Sequence, residues 1–247
     1  MKNIKIMDRR YQISVNILKQ DVETSKNLWN WKVGNFRMIN LFKQELQEIY
    51  SFFKNNYKEA VVLCTSTLFF VLAICRPIVS SLVLSYAVYY ALLPILTILI
   101  ILRKNPLDFG LRFGDYKLWS FYVAITVVIA VPVLYIGSLF SSVGQYYTKP
   151  FDYYSFFTQM VPLLFFWEYI LRGFLLFGLK KRFKETSILI QMVPFVLLHI
   201  GKPEIEILMC IPMGLWFGYI AYRGKSFWPA FITHTFINFT LKYFVNF

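Results

Sequence analysis

The chain has 247 residues, of which 57% are hydrophobic and 20% aromatic, while only 16% are charged. Its mean hydropathy is +0.52, whereas a soluble domain carries about 25% charged residues, so the composition excludes an ordinary soluble globule and points to an all-α, polytopic membrane protein. The formal charge of +13 gathers between the apolar runs, which suits a cytoplasmic membrane face and argues against nucleic acid as a partner.

Residues 1–58 are polar and basic. Within them Phe36, Ile39, Phe42, Leu46, Ile49 and Phe53 recur at helical spacing, and Lys43, Glu45, Glu48 and Lys54 fall off that stripe. The pattern predicts an amphipathic helix lying on the membrane surface, with packing against another domain as the alternative. The first long apolar run begins near Val61, too late for a cleavable leader.

Seven apolar spans are expected, at about Glu59–Cys75, Ile78–Leu102, Leu118–Phe140, Tyr154–Leu179, Ile188–Ile200, Ile205–Tyr222 and Phe227–Phe244. The first and fifth are short against the roughly 20 residues that a spanning helix needs. Domain organisation follows: residues 1–58 as a cytoplasmic or interfacial region, 59–150 as N-terminal membrane helices, and 151–247 as a catalytic core. The loops after spans two, four and six are basic, as is the N-terminal region, whereas the opposite loops hold only Arg76, Lys149 and Lys202. By the positive-inside rule the N-terminus is cytoplasmic and the C-terminus external, in the cell membrane. Cys64, Cys75 and Cys210 sit in apolar runs without metal-ligand spacing and read as small buried hydrophobes.

Ionisable residues inside these spans need a reason, because each costs roughly 2.5–3.5 kcal/mol to insert. Glu168 and Arg172 lie four residues apart in span four, one above the other on a helix. The chain's two histidines, His199 and His234, both fall in spans, and Asn238 shares a face with His234. An interhelical hydrogen bond explains a lone histidine, but five polar residues from three spans suit water-activating chemistry: a base for water, donors for an oxyanion, and an arginine to neutralise and orient a glutamate.

Three stretches carry a family resemblance. Glu168-Tyr169-Ile170-Leu171-Arg172-Gly173, Phe195 to His199, and His234 to Asn238 resemble the ordered motifs of the CAAX protease and bacteriocin-processing family, also called Abi, of intramembrane endopeptidases. The resemblance covers about Phe151 to Phe247, and Asp108 to Lys117 is similar to a loop preceding that core. It implies cleavage of a membrane-associated or prenylated peptide, with membrane lipid and a peptide or protein substrate as partners. It assigns water activation to the first glutamate of a Glu-Glu-x-x-x-Arg motif together with His199, and oxyanion support to His234 and Asn238. Here Trp167 stands at the first glutamate's position, and Glu168 matches the second, which pairs with the arginine.

Two readings follow. Glu168 takes over as base beside His199, giving a catalytic set of Glu168, His199, His234 and Asn238 supported by Arg172. Alternatively the chain is an inactive membrane scaffold or bacteriocin self-immunity protein, with Trp167 filling the carboxylate's place. The glutamate chemistry needs no cofactor. Zinc held by Glu168, His199 and His234 is a further alternative, and a transporter is disfavoured because no inverted repeat is visible. Span positions leave a tension: His199 falls near the outer end of its span, and His234 near the inner end of its own. Pro194, Pro229 and Gly201 could break or kink these helices.

Overall fold

The computed structural model describes residues 2–148 and 150–246, with the side chains of residues 2–15, 17 and 30–35 left out. Lys149 therefore lies outside the described residues. Every regular element among those described is helical. The chain divides into two compact units, residues 1–56 and 57–247.

The first unit is one helix, α1, Lys2–Asn55, longer than the stripe from Phe36 to Phe53 requires. Phe36, Ile39, Phe42, Leu46, Ile49 and Phe53 are all exposed on it.

The second unit is a bundle. Its helices are α2 (Tyr57–Cys75), α3 (Leu82–Ile101), α4 (Tyr116–Ser138), α5 (Ser141–Tyr146), α6 (Tyr153–Phe183), α7 (Thr186–Leu197), α8 (Glu204–Gly224) and α9 (Trp228–Asn246). Each of the seven expected spans is a helix. Five, namely α2, α3, α4, α6 and α8, are long and apolar enough to cross a membrane. The other two differ from expectation: α7 has only 12 residues, and α9, with 19, is not among those five.

α6 is the centre. Of its most apolar window 56% is buried, against 11% for α4, and it packs against α2, α3, α7, α8 and α9. Ile170, Leu171, Phe174, Leu176 and Leu179 are wholly enclosed. The outer helices instead leave large apolar side chains uncovered, such as Phe121, Val128, Ile129 and Ile136 on α4. A soluble protein rarely shows such a surface, and a lipid-facing one requires it. The chain is a membrane protein built as a helical bundle.

Prolines shape the long helices. Pro94 and Pro162 each follow a π-helical turn, at Val88–Leu92 and Phe156–Met160, because proline lacks the N–H that would close the preceding turn. Another π-helical turn, Tyr169–Leu175, has no proline and contains Arg172. There the loop ahead of α4 docks. A Cβ on Gly173 would stand 2.9 Å from the Phe109 carbonyl oxygen, so only glycine lets backbone meet helix this closely. The same loop is tied to the α8–α9 turn by Phe227 N–H donating to Gly110 O and Asp115 N–H donating to Gly224 O.

The short α7 eases the tension over the histidines. Twelve residues rise only roughly 18 Å, well under a hydrocarbon core of about 30 Å, so α7 stops short of a full span before His199. Glu168 is central in α6, roughly 22 Å from either end. Gln191 fastens α7 to α8 by donating to Gly214 O at 2.8 Å.

Candidate active site

Three helices bring the polar residues together. On α6, Glu168 and Arg172 are both 0% exposed, and Arg172 Nη1 donates to Glu168 Oε1 at 3.0 Å. From α9, His234 Nδ1 donates to the same oxygen at 2.7 Å. Arg172, Glu168 and His234 thus form a continuous buried chain. Glu168 Oε2, Arg172 Nε and Arg172 Nη2 make no hydrogen bond among the described residues.

Phe195 on α7 joins this chain to the other histidine. Its ring lies under the Arg172 guanidinium, 4.2 Å from Cζ, a cation–π contact. Its carbonyl accepts from His199 Nδ1 at 2.7 Å. A carbonyl oxygen can only accept, so the neutral imidazole carries its proton on Nδ1 and leaves the Nε2 lone pair free. One residue therefore steadies the arginine and selects the base-competent tautomer of His199. This role was not apparent from sequence; its signal is the i, i+4 spacing of Phe195 and His199, which sets a side-chain nitrogen over a carbonyl one turn back.

His199, His234 and Asn238 line one cavity of about 240 Å³, walled mainly by apolar side chains including Val133, Met209 and Ile237. The two imidazole centroids are 6.2 Å apart. His234 has spent Nδ1 on Glu168 and keeps Nε2 for the cavity. Asn238 Nδ2 donates one N–H to His234 O at 3.2 Å, leaving a second. The expected site residues are thus assembled, with one difference: Glu168 does not line the cavity but stands behind His234, turned to Arg172.

Trp167 presents its ring edge-on to His199, centroids 5.6 Å apart. Position 167 therefore does face His199, where the resemblance would place a carboxylate. Further polar residues gather around Glu206. Glu206, which lines the cavity, accepts from Lys202 Nζ at 3.0 Å and from the Tyr147 hydroxyl at 2.8 Å, and Lys202 also donates to the Tyr147 oxygen at 2.7 Å. Burial, with Glu206 alongside, pushes the Tyr147 phenol well above its ordinary range, so it donates at any working pH. Glu206 went unnoticed in sequence, although it follows Lys202, an opposite charge, by four residues.

As a zinc site the expected trio is poorly arranged. The Glu168 oxygen nearest a histidine also faces the Arg172 guanidinium. Among the described residues no group of three or more His, Cys, Asp or Glu side chains is placed to hold a metal ion.

No curated protein and no solved structure matches this chain. Residues 150–240, which hold all three motifs, match the family model described as type II CAAX prenyl endopeptidase Rce1-like, so the core of this membrane protein is similar to that endopeptidase family, as its motifs indicate.

Proposed function

We propose that the chain is a metal-free intramembrane endopeptidase that hydrolyses a peptide bond of a membrane-associated or prenylated substrate. One observation carries the reading: the buried Arg172–Glu168–His234 chain ends at a cavity that also presents the free Nε2 of His199. Maintaining three buried polar groups in a membrane bundle is costly unless they serve chemistry.

In this account His199 Nε2 takes a proton from water while the water oxygen bonds to the scissile carbonyl carbon. The oxyanion accepts from Asn238 Nδ2–H and from Nε2–H of His234 in its imidazolium form. Glu168, held by Arg172, stabilises that imidazolium through Nδ1–H, the part that a carboxylate plays behind histidine in hydrolytic triads. The C–N bond then breaks as His199 returns its proton to the leaving nitrogen. Glu168 is thereby a positioning residue, and Arg172 and Phe195 position it and His199.

The basic end of the bundle supports a cytoplasmic assignment in the cell membrane. Lys104 and Lys181 each lie within electrostatic reach of Lys58, and Lys225 of Lys180, and such clusters remain inside. The exposed apolar stripe of α1 suits the membrane interface. Within the bundle we treat residues 57–150 as the frame and 151–247 as the catalytic core.

The second reading, an inactive membrane scaffold, draws on Trp167 packed against His199. Parallel assays of wild type and Trp167→Glu on internally quenched peptides, with and without a prenylated cysteine, separate the two. The endopeptidase reading expects cleavage by wild type. A silent wild type with an active Trp167→Glu variant establishes the scaffold.

A further inference from the structure

Trp167 removes a carboxylate from beside His199, yet the cavity is not without one. Among the described residues lining it, Glu206 is the single acid. It comes from the first turn of α8, an element that none of the three motifs includes.

Its placement follows from the chain reversal after α7. His199 N–H donates to Val196 O, Ile200 N–H to Leu197 O and Lys202 N–H to His199 O, and Gly201 adopts φ +96. This tight turn swings the chain back so that Glu206, in the first turn of α8, lines the same cavity as His199. Lys202 donates to Oε1 and Tyr147 to Oε2. A carboxylate has about four lone-pair sites, so each oxygen keeps one acceptor position. The side chain is held by two donors, is partly exposed at 19%, and lines the cavity.

From this juxtaposition we propose that Glu206 is a catalytic residue which shares the attacking water with His199, in place of the carboxylate that Trp167 displaces. The proposal rests on the endopeptidase reading. Water donates one hydrogen to His199 Nε2 and the other to a Glu206 oxygen, which turns an oxygen lone pair toward the substrate carbonyl. As the O–C bond forms, the first proton passes to His199 and later to the leaving amine. Glu206 accepts a hydrogen bond throughout and ends the cycle unprotonated. Lys202 and Tyr147 position it.

The alternative is that Glu206 only ties Tyr147 and the α5 strap to α8. Purified full-length protein in detergent, assayed on the same peptide panel, decides. Glu206→Gln should lower kcat by about 100-fold or more with KM within about threefold, in the range for a group acting on the water. Tyr147→Phe should lower it by less than about tenfold, since the carboxylate and its Lys202 contact remain. Formate added to Glu206→Ala should recover about tenfold or more by supplying the missing carboxylate. Glu206→Gln within about threefold of wild type, or a Tyr147→Phe loss as large as that of Glu206→Gln, assigns Glu206 to structure and overturns the proposal. Should Glu206→Gln fail to elute as a folded monodisperse species, formate rescue of Glu206→Ala decides alone, and no rescue overturns it. Active wild type with active Glu206→Gln leaves the endopeptidase reading standing. Wild type silent on every peptide overturns that reading and the role of Glu206 with it.

Discussion

Glu168 and His234, 66 residues apart in sequence, meet at 2.7 Å from Oε1 to Nδ1. In the proposed mechanism that contact makes Glu168 a partner of His234, the oxyanion donor, instead of a base in the cavity. It predicts that Glu168→Gln lowers kcat by up to about 10²–10³, the loss that follows removal of an oxyanion-hole donor. Stability should fall as well, by about 3–5 kcal/mol, because Arg172 is left buried and unpaired. Adding Arg172→Met to Glu168→Gln should recover much of the stability and none of the activity. Thermal unfolding and turnover of the two variants check this; recovery of both together contradicts the positioning role.

The docking of the loop before α4 has its own consequence. In Gly173→Ala the added methyl group would meet the Tyr169 ring at 2.6 Å and the Phe109 carbonyl oxygen at 2.9 Å. The ring can give way, but the carbonyl belongs to backbone. A loss of about 1–3 kcal/mol is expected, as for overpacking in a close-packed core. Limited proteolysis should cut the loop between Arg103 and Asp115 faster than in wild type.

Metal content is a direct prediction. With Glu168 Oε1 engaged by Arg172 and His234, purified protein should contain substoichiometric zinc and keep its activity in a chelator. Stoichiometric zinc by elemental analysis, lost together with activity on chelation, contradicts the proposed chemistry.

Orientation can be read by accessibility. After Cys64, Cys75 and Cys210 are changed to serine, single cysteines at Lys104 and Lys184 should react with a membrane-impermeant reagent only in inside-out vesicles, and one at Lys202 only in right-side-out vesicles. The reverse pattern contradicts the charge-based topology.

Sequence carried much of this architecture for identifiable reasons. Apolar runs near spanning length mark helices irrespective of tertiary detail, and His234 with Asn238 shows its common face through i, i+4 spacing alone. What sequence could not convey was depth. Span five ran on to Ile200 by hydropathy, whereas the helix stops at Leu197 and turns, because apolarity continues through a break that only backbone geometry records. The role of Phe195 was hidden for a similar reason: its backbone carbonyl, which no side-chain pattern reveals, accepts from His199. Glu206 escaped notice because a carboxylate at the start of a span looks like a solvated end, until the turn at Gly201 places it on the cavity.

The central claim is that His199 activates water for peptide-bond hydrolysis. The most direct measurement is the turnover of wild type and His199→Ala, in parallel, on the internally quenched peptides. The account predicts cleavage by wild type and a loss of about 100-fold or more in His199→Ala, with the variant's thermal stability close to wild type. Equal turnover by both proteins, or none by either, would contradict it.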